Sequence, residues 1–374
     1  MRIVFASCDA HGTYTWWERV RQLAPDVFIA HGDTPYVNYV APFFSVSTTQ
    51  AIAEAKFNSF WGRPGPVDLL AMRSQGMLAY WQADDHEWGG DNWDHTVTQA
   101  NAQTGLGATT QAQVNAHWKA SNDAQEVVQA ALFDNPAWNR AGNTERPSQA
   151  LTESQNPPAS DYPIRYFVQD FNSDGSVAAG PAHCRVIFLD CISYKSPIAA
   201  ADSAAKHFLG VQQEAWLEQR LLEAVTAQVP FVFISSGKKV FRGTVGDNGD
   251  TLGSYPTAQA RVLSMIDSTG ATPIWLSGDK HRPHVMEARK QRGDACDLID
   301  VCACPGGVKL NALMAPGSNI VWQGNTKCVG QVDVGSDSAT VQIVHAEQGG
   351  ALWSATFAPR SNVPIYGESM ATVL

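Results

Sequence analysis

VFIAHGDTPY, residues 27–36, is the stretch that decides the fold. Val27, Phe28, Ile29 and Ala30 form an uninterrupted apolar run, the pattern of a strand buried on both faces, and Gly32-Asp33-Thr34 sets a carboxylate in the turn directly behind it. The arrangement recurs. Ile3-Val4-Phe5-Ala6 precedes Ser7-Cys8-Asp9-Ala10-His11, Phe231-Val232-Phe233-Ile234 precedes Ser235-Ser236-Gly237, and Pro273-Ile274-Trp275-Leu276 precedes Gly278-Asp279-Lys280-His281. A fifth run, Leu78-Ala79-Tyr80-Trp81, ends just before Asp84-Asp85-His86-Glu87. Ligands of open α/β sheets bind outside the carboxyl ends of the strands, so a single crevice can collect all five blocks. Their aspartate and histidine content reads as a dinuclear metal site.

Helix patterns lie between the runs. Residues 15–23 carry Trp16, Trp17, Val20 and Leu23 along one face, and residues 48–61 and 210–228 also read as helices. Further strands are predicted at 164–168 and 184–189, and short strands with Gly-rich turns over 297–357 suggest a second sheet. Residues 88–163, rich in Asn, Gln, Ala, Thr and Trp, break the pattern and are expected to form a cap insertion within a single domain spanning 1–374, with one helix at 111–132.

A chain of 374 residues, 44% hydrophobic, can bury a large core. Its net charge of −10 argues against general nucleic-acid binding, yet does not exclude an anionic substrate, because a metal site supplies its own local positive charge. Seven cysteines without regular spacing fit a reducing compartment better than a disulfide framework. Met1-Arg2 leads straight into a strand and no apolar run approaches the ~20 residues of a membrane span, so a cytoplasmic protein without a membrane partner is expected, periplasmic or secreted only if processed.

Asp9 and His11, two apart at a strand end, can share one face and grip an ion. Asp33 can bridge two cations, and Tyr36 offers a phenolate, a ligand that favours ferric iron; apart from the other blocks they read as a turn aspartate and a packed tyrosine. Three acids around His86 are costly unless something positive sits among them. Asp85 is the candidate ligand of a second ion, His86 the group that binds a phosphoryl oxygen or protonates a leaving group, and Glu87 the residue that orients its imidazole. His281 is a further ligand candidate, with Asp279 either on the second ion or supporting His281. Lys238, Lys280 and Arg282 lie in two basic clusters that can hold phosphate oxygens, although any one of them alone reads as a solvated surface base.

In order and spacing these blocks resemble the calcineurin-like metallophosphoesterase superfamily, and within it the PhoD-type alkaline phosphatase and phosphodiesterase family. The resemblance is carried by FASC (5–8), HGDTPY (31–36), DDHEWGGDNW (84–93), FLD (188–190), FLGVQQEAWLEQRL (208–221) and WLSGDKH (275–281), and runs from Arg2 to about Val285. It implies a four-layer αββα sandwich of two mixed sheets flanked by helices, two or more metal ions at the strand ends, and hydrolysis of phosphomonoesters or phosphodiesters by a metal-bound hydroxide attacking phosphorus in line. Carried over, Asp9, Asp33, Tyr36 and His281 surround a first ion, iron; Asp33 bridges to a second that meets Asp85, with Asp279 a further candidate. The family often uses the cysteine of the first block, so Cys8, Asp9 and His11 stand as alternatives.

The chain departs from the pattern in two places that bear on metal choice. Ser235-Ser236-Gly237 stands where the superfamily usually has a metal-binding histidine, and Asp279 where it has another. The second site is therefore richer in oxygen, favouring calcium, manganese or magnesium over zinc. Two other readings compete: a non-catalytic ligand-binding protein with a degenerate metal site, and a cysteine-dependent enzyme using Cys302 and Cys304.

Overall fold

The computed structural model describes residues 1–9, 14–36, 49–88, 111–138, 164–198, 200–242, 250–290, 293, 296–304 and 319–365. The first half contains β1 (Arg2–Ala6), α1 (Tyr14–Leu23), β2 (Val27–His31), α2 (Gln50–Trp61), α3 (Pro64–Arg73), β3 (Leu78–Gln82), α4 (Asp85–Trp88), α5 (Gln111–Leu132), β4 (Phe167–Phe171) and β5 (Cys184–Phe188). The second half contains α6 (Val211–Thr226), β6 (Phe231–Ser235), α7 (Pro256–Thr269), β7 (Ile274–Ser277), β8 (His284–Ala288), β9 (Leu298–Cys302), β10 (Ile320–Gln323), β11 (Cys328–Val334), β12 (Ala339–His345) and β13 (Ala351–Phe357).

These strands form two sheets, one in the order β13-β12-β11-β1-β2-β3 and the other β10-β8-β9-β7-β6-β5-β4. Ile3, Phe5, Val27, Ile29 and Tyr80 of the first face Val186, Phe188, Phe233, Ile274 and Leu276 of the second across one apolar core. The alternate residues face outward into helices: Val4, Phe28 and Trp81 pack with α1, α2, α3 and α5, while Ile187, Ile234 and Trp275 pack with α6 and α7. The predicted four-layer sandwich is therefore the fold, and it explains why the central strands read as unbroken apolar runs. Both faces of each are covered. β12 and β13 instead alternate, with Ala339, Val341, Ile343, Trp353 and Ala355 buried and Ser354 exposed, as expected where one face of the sheet meets water.

The helix predicted at 111–132 is α5, and its Ala120, Ala124 and Val128 belong to the outer helical layer on the first sheet. The rest of the expected insertion, 89–110 and 139–163, lies outside the described residues. The strands of 297–357 do not build a sheet of their own. β9 and β10 join the second sheet, whereas β11 turns back to pair antiparallel with β1 and carries β12 and β13 with it. Close approach makes that pairing possible: Gly330 lies opposite Phe5, and a Cβ there would fall 2.1 Å from the Phe5 ring. Among the described residues no helix is long and apolar enough to cross a membrane.

Candidate metal centre

β1, β2 and β3 belong to one sheet and β6 and β7 to the other, and the loops that follow all five strands meet through the side chains described below. The backbone leaves regular strand geometry at once. Cys8 (φ 63°), Asp33 (φ 53°), Asp279 (φ 70°) and His281 (φ 46°) all adopt the left-handed region. Each costs about 1–2 kcal/mol in a residue with a Cβ, so the strain is concentrated where function is expected. The loops are stitched together: Cys8 N–H donates to the Gly32 carbonyl at 3.3 Å, Asp9 N–H to the Asp33 carbonyl at 2.8 Å, and Ser236 N–H to the Leu276 carbonyl at 3.0 Å.

Cys8, Asp33 and His281 offer donor atoms that all lie within 4.8 Å of one another. The Tyr36 hydroxyl joins them, 2.6 Å from His281 Nε2 and 3.0 Å from Asp33 Oδ2, and Cys8 Sγ is 3.6 Å from the same carboxylate oxygen. Burial pushes the pKa values of Cys8, Asp33 and Tyr36 well up, and neighbouring acidic groups add to it: Cys304 beside Cys8, Asp85 beside Asp33, and Asp33 beside Tyr36. Such a cluster holds its protons until a cation replaces them. A thiol, a carboxyl, a phenol and an imidazole converging on one point fit a metal ion.

Asp9 departs from expectation. Its Oδ2 accepts the indole N–H groups of Trp16 (3.0 Å) and Trp17 (2.8 Å) on α1, so the sulfur of Cys8, not this carboxylate, is the donor from the first block that reaches Asp33 and His281. The left-handed turn at Cys8 ends regular strand geometry before Asp9. His11 itself lies outside the described residues.

The second expected cluster is assembled differently from its prediction. Asp33, Asp85 and His86 offer donor atoms within 4.8 Å of one another, and the His86 ring packs at a 33° tilt against Tyr36 with centroids 4.0 Å apart. Glu87, expected to orient that imidazole, binds backbone amides. Its carboxylate accepts the backbone N–H groups of Asp33 (2.9 Å), Asp84 (2.8 Å) and Thr34, pinning the loop after β2 to the start of α4. Burial pushes the Glu87 carboxyl up to about 7 despite these three donors.

Of the three expected phosphate-binding bases, Arg282 directs Nη1 to the Gly324 carbonyl (2.8 Å) and Asn325 (3.1 Å), and Lys280 pairs with Asp279 at 2.8 Å. Lys238 is fully buried, with Nζ 2.7 Å from Asp84 Oδ1, 2.7 Å from Asp250 Oδ2, 3.0 Å from Asp279 Oδ1 and 3.5 Å from Asp85 Oδ1. These are charge pairs without hydrogen-bond alignment, and the attraction is that of one charge among four. Burial alone would lower the lysine's pKa, but Asp250, Asp279, Asp84 and Asp85 outweigh it and hold the ammonium well above its ordinary value. Burial likewise opposes ionisation of Asp279, yet Lys238 and Lys280 keep it below the usual carboxylate range.

Asp250 and Lys195, which ion-pair with each other, are additions that no sequence motif announced. The FLD and FLGVQQ motifs have a structural role: Gln213 on α6 accepts the Asp190 N–H at 2.8 Å and donates to its carbonyl at 2.7 Å, while the Asp190 side chain accepts the N–H groups of Ile192 and Ser193. Cys302 and Cys304 are buried and burial raises both thiols, Cys304 to about 11, the reverse of what a cysteine nucleophile needs. Cys304 instead lies 2.9 Å from the Cys8 sulfur and accepts the His281 N–H at 3.2 Å, backing the donor cluster.

Residues 170–302, from β4 to β9, match the family model described as PhoD-like phosphatase. That match covers about a third of the chain. A solved structure titled as that of PhoD superposes with a TM-score of 0.66 at 14% identity, covering all of this chain and 72% of the other. A purple acid phosphatase from yellow lupin (Lupinus luteus) seeds superposes with a TM-score of 0.58 at 14% identity, over 96% of this chain and 53% of its own length. At that identity the two structures speak for a shared fold. No curated protein matches the chain by sequence. The matched segment supplies most of the second sheet and Lys238, Asp279 and His281, whereas Cys8, Asp33, Tyr36 and Asp85 lie in the part of the chain that the structural likeness alone covers. Family match and fold together support a phosphoester hydrolase.

Proposed function

We propose that this chain hydrolyses phosphomonoesters or phosphodiesters with a metal ion held by Cys8, Asp33, Tyr36 and His281, and that the ion is iron. The observation that carries the reading is the convergence of Cys8, Asp33 and His281 within 4.8 Å of one another, with Tyr36 against two of them, at the strand ends of a phosphatase-like fold. A cation bound there supplies Lewis acidity toward a phosphoryl oxygen and lowers the pKa of water.

The chain's own groups do the rest. Glu87 holds the Asp33 and Thr34 amides, and so fixes the angle at which the Asp33 carboxylate meets its neighbours. His86, beside Asp33 and packed against Tyr36, is the group we assign to hand a proton to the departing alkoxide or to hold a phosphoryl oxygen. Lys238 and Lys280 keep positive charge beside the centre, where an anionic ester must approach.

The metal assignment is tested by visible absorption of the iron-loaded protein. Phenolate and thiolate charge-transfer bands are expected, with Tyr36→Phe removing the first and Cys8→Ser the second while the fold persists. A colourless iron-loaded protein, or bands unchanged in both variants, contradicts this ligand set.

A further inference from the structure

Asp85 and Asp279, the residues expected to hold a second ion, both turn their carboxylates to the Lys238 ammonium, at 3.5 and 3.0 Å. Asp84, Asp85 and Asp250 offer oxygens within 4.8 Å of one another, the spacing of an ion pocket, and the same ammonium is in contact with all three. The pocket is also neutralised from its far sides: Lys195 takes the other oxygen of Asp250, and Lys280 the other oxygen of Asp279 at 2.8 Å. Among the described residues three ammonium groups stand against these four carboxylates, so a divalent ion entering here would meet the repulsion of three fixed cations.

Lys238 is built into this place. Its N–H donates to Ser236 Oγ at 3.1 Å, and its carbonyl accepts from Ser236 Oγ at 2.7 Å and from the Trp275 indole at 3.2 Å. The preceding residue must be glycine, because a Cβ at Gly237 would lie 2.6 Å from Asp84 Oδ2. The loop after β6 is thereby pressed onto the acidic cluster, and the side chain it delivers is 0% exposed.

We propose that Lys238 is the second cation of this centre, its ammonium standing where the fold's second metal ion would be, so that the protein works with one metal ion. The inference rests on the phosphoesterase reading and replaces the expected dinuclear site by a metal–lysine pair. The donor groups of the first cluster, Cys8, Asp33, Tyr36 and His281, remain for the single ion, while Asp85, which the grouping of Asp33, Asp85 and His86 would need for another, faces the Lys238 ammonium at 3.5 Å. The positive charge beside it is covalently fixed and cannot be removed by a chelator.

Elemental analysis of the iron-loaded chain after dialysis against Mn2+ or Ca2+ tests this. Wild-type protein is expected to hold one ion per chain, and Lys238→Met, which keeps the length of the side chain and removes its charge, to take up one more. Two ions or none in the wild type overturn the proposal, as does a folded Lys238→Met that stays at one. If that variant fails to fold, Mn2+ titration of the wild type decides alone, with no tight site for Mn2+ beside bound iron supporting the proposal and one such site overturning it. One ion without any phosphoester turnover would defeat the functional reading and leave this inference standing; two ions with turnover would do the reverse.

Discussion

Asp33→Asn is expected to lower phosphoester hydrolysis by roughly 10³-fold or more, the scale of losing a central electrostatic group, and to release the bound ion. One oxygen of Asp33 meets both Tyr36 and Cys8, and the other lies 3.4 Å from the His86 amide, so this carboxylate links the first cluster to the second. Asparagine keeps its shape and tolerates the left-handed φ of 53°. The thermal midpoint of the variant should therefore stay within a few degrees of wild type while metal content and turnover collapse. Near-normal turnover by this variant contradicts the assignment of Asp33.

Glu87→Ala is expected to act on the fold as much as on the site. Three buried amides, of Asp33, Thr34 and Asp84, lose their acceptor together. Each unsatisfied N–H costs about 1–3 kcal/mol, so a loss of several kcal/mol is predicted, a large fraction of a typical domain's stability. The loop bearing Asp33 should loosen at the same time, so metal retention falls with stability. Glu87→Gln keeps one acceptor oxygen and should lie between the two. Thermal and denaturant unfolding measure this; an alanine variant as stable as wild type would show that the loop is held by other contacts.

The sandwich was legible because its central strands are apolar on both faces and each is followed by a block of metal-type residues. Strand-end position also sufficed to bring Asp33, Tyr36, Asp85 and His281 together. Legibility failed where the backbone stopped being a strand. Strand alternation puts Asp9 forward as a ligand, but past the left-handed Cys8 it is the sulfur that lies beside Asp33, and Asp9 accepts the two indoles of α1. Asp250 has no motif, and its partnership with Lys195 and Lys238 comes from loops 55 and 12 residues away. Lys238 read as a surface base because burial of a lysine is rare without partners, and its partners come from three other loops. The pairing of β11 with β1, the chain's late segment with its first strand, depends on the space at Gly330, which no local pattern reveals.

The central claim is that a metal ion at Cys8, Asp33, Tyr36 and His281 drives phosphoester hydrolysis. Its most direct test is turnover of p-nitrophenyl phosphate and bis-p-nitrophenyl phosphate by the protein as purified, after stripping with a chelator, and after iron is restored. The account predicts hydrolysis of at least one ester, lost on stripping and recovered with iron. No turnover of either ester by fully iron-loaded protein, or turnover that survives complete removal of metal, would contradict it.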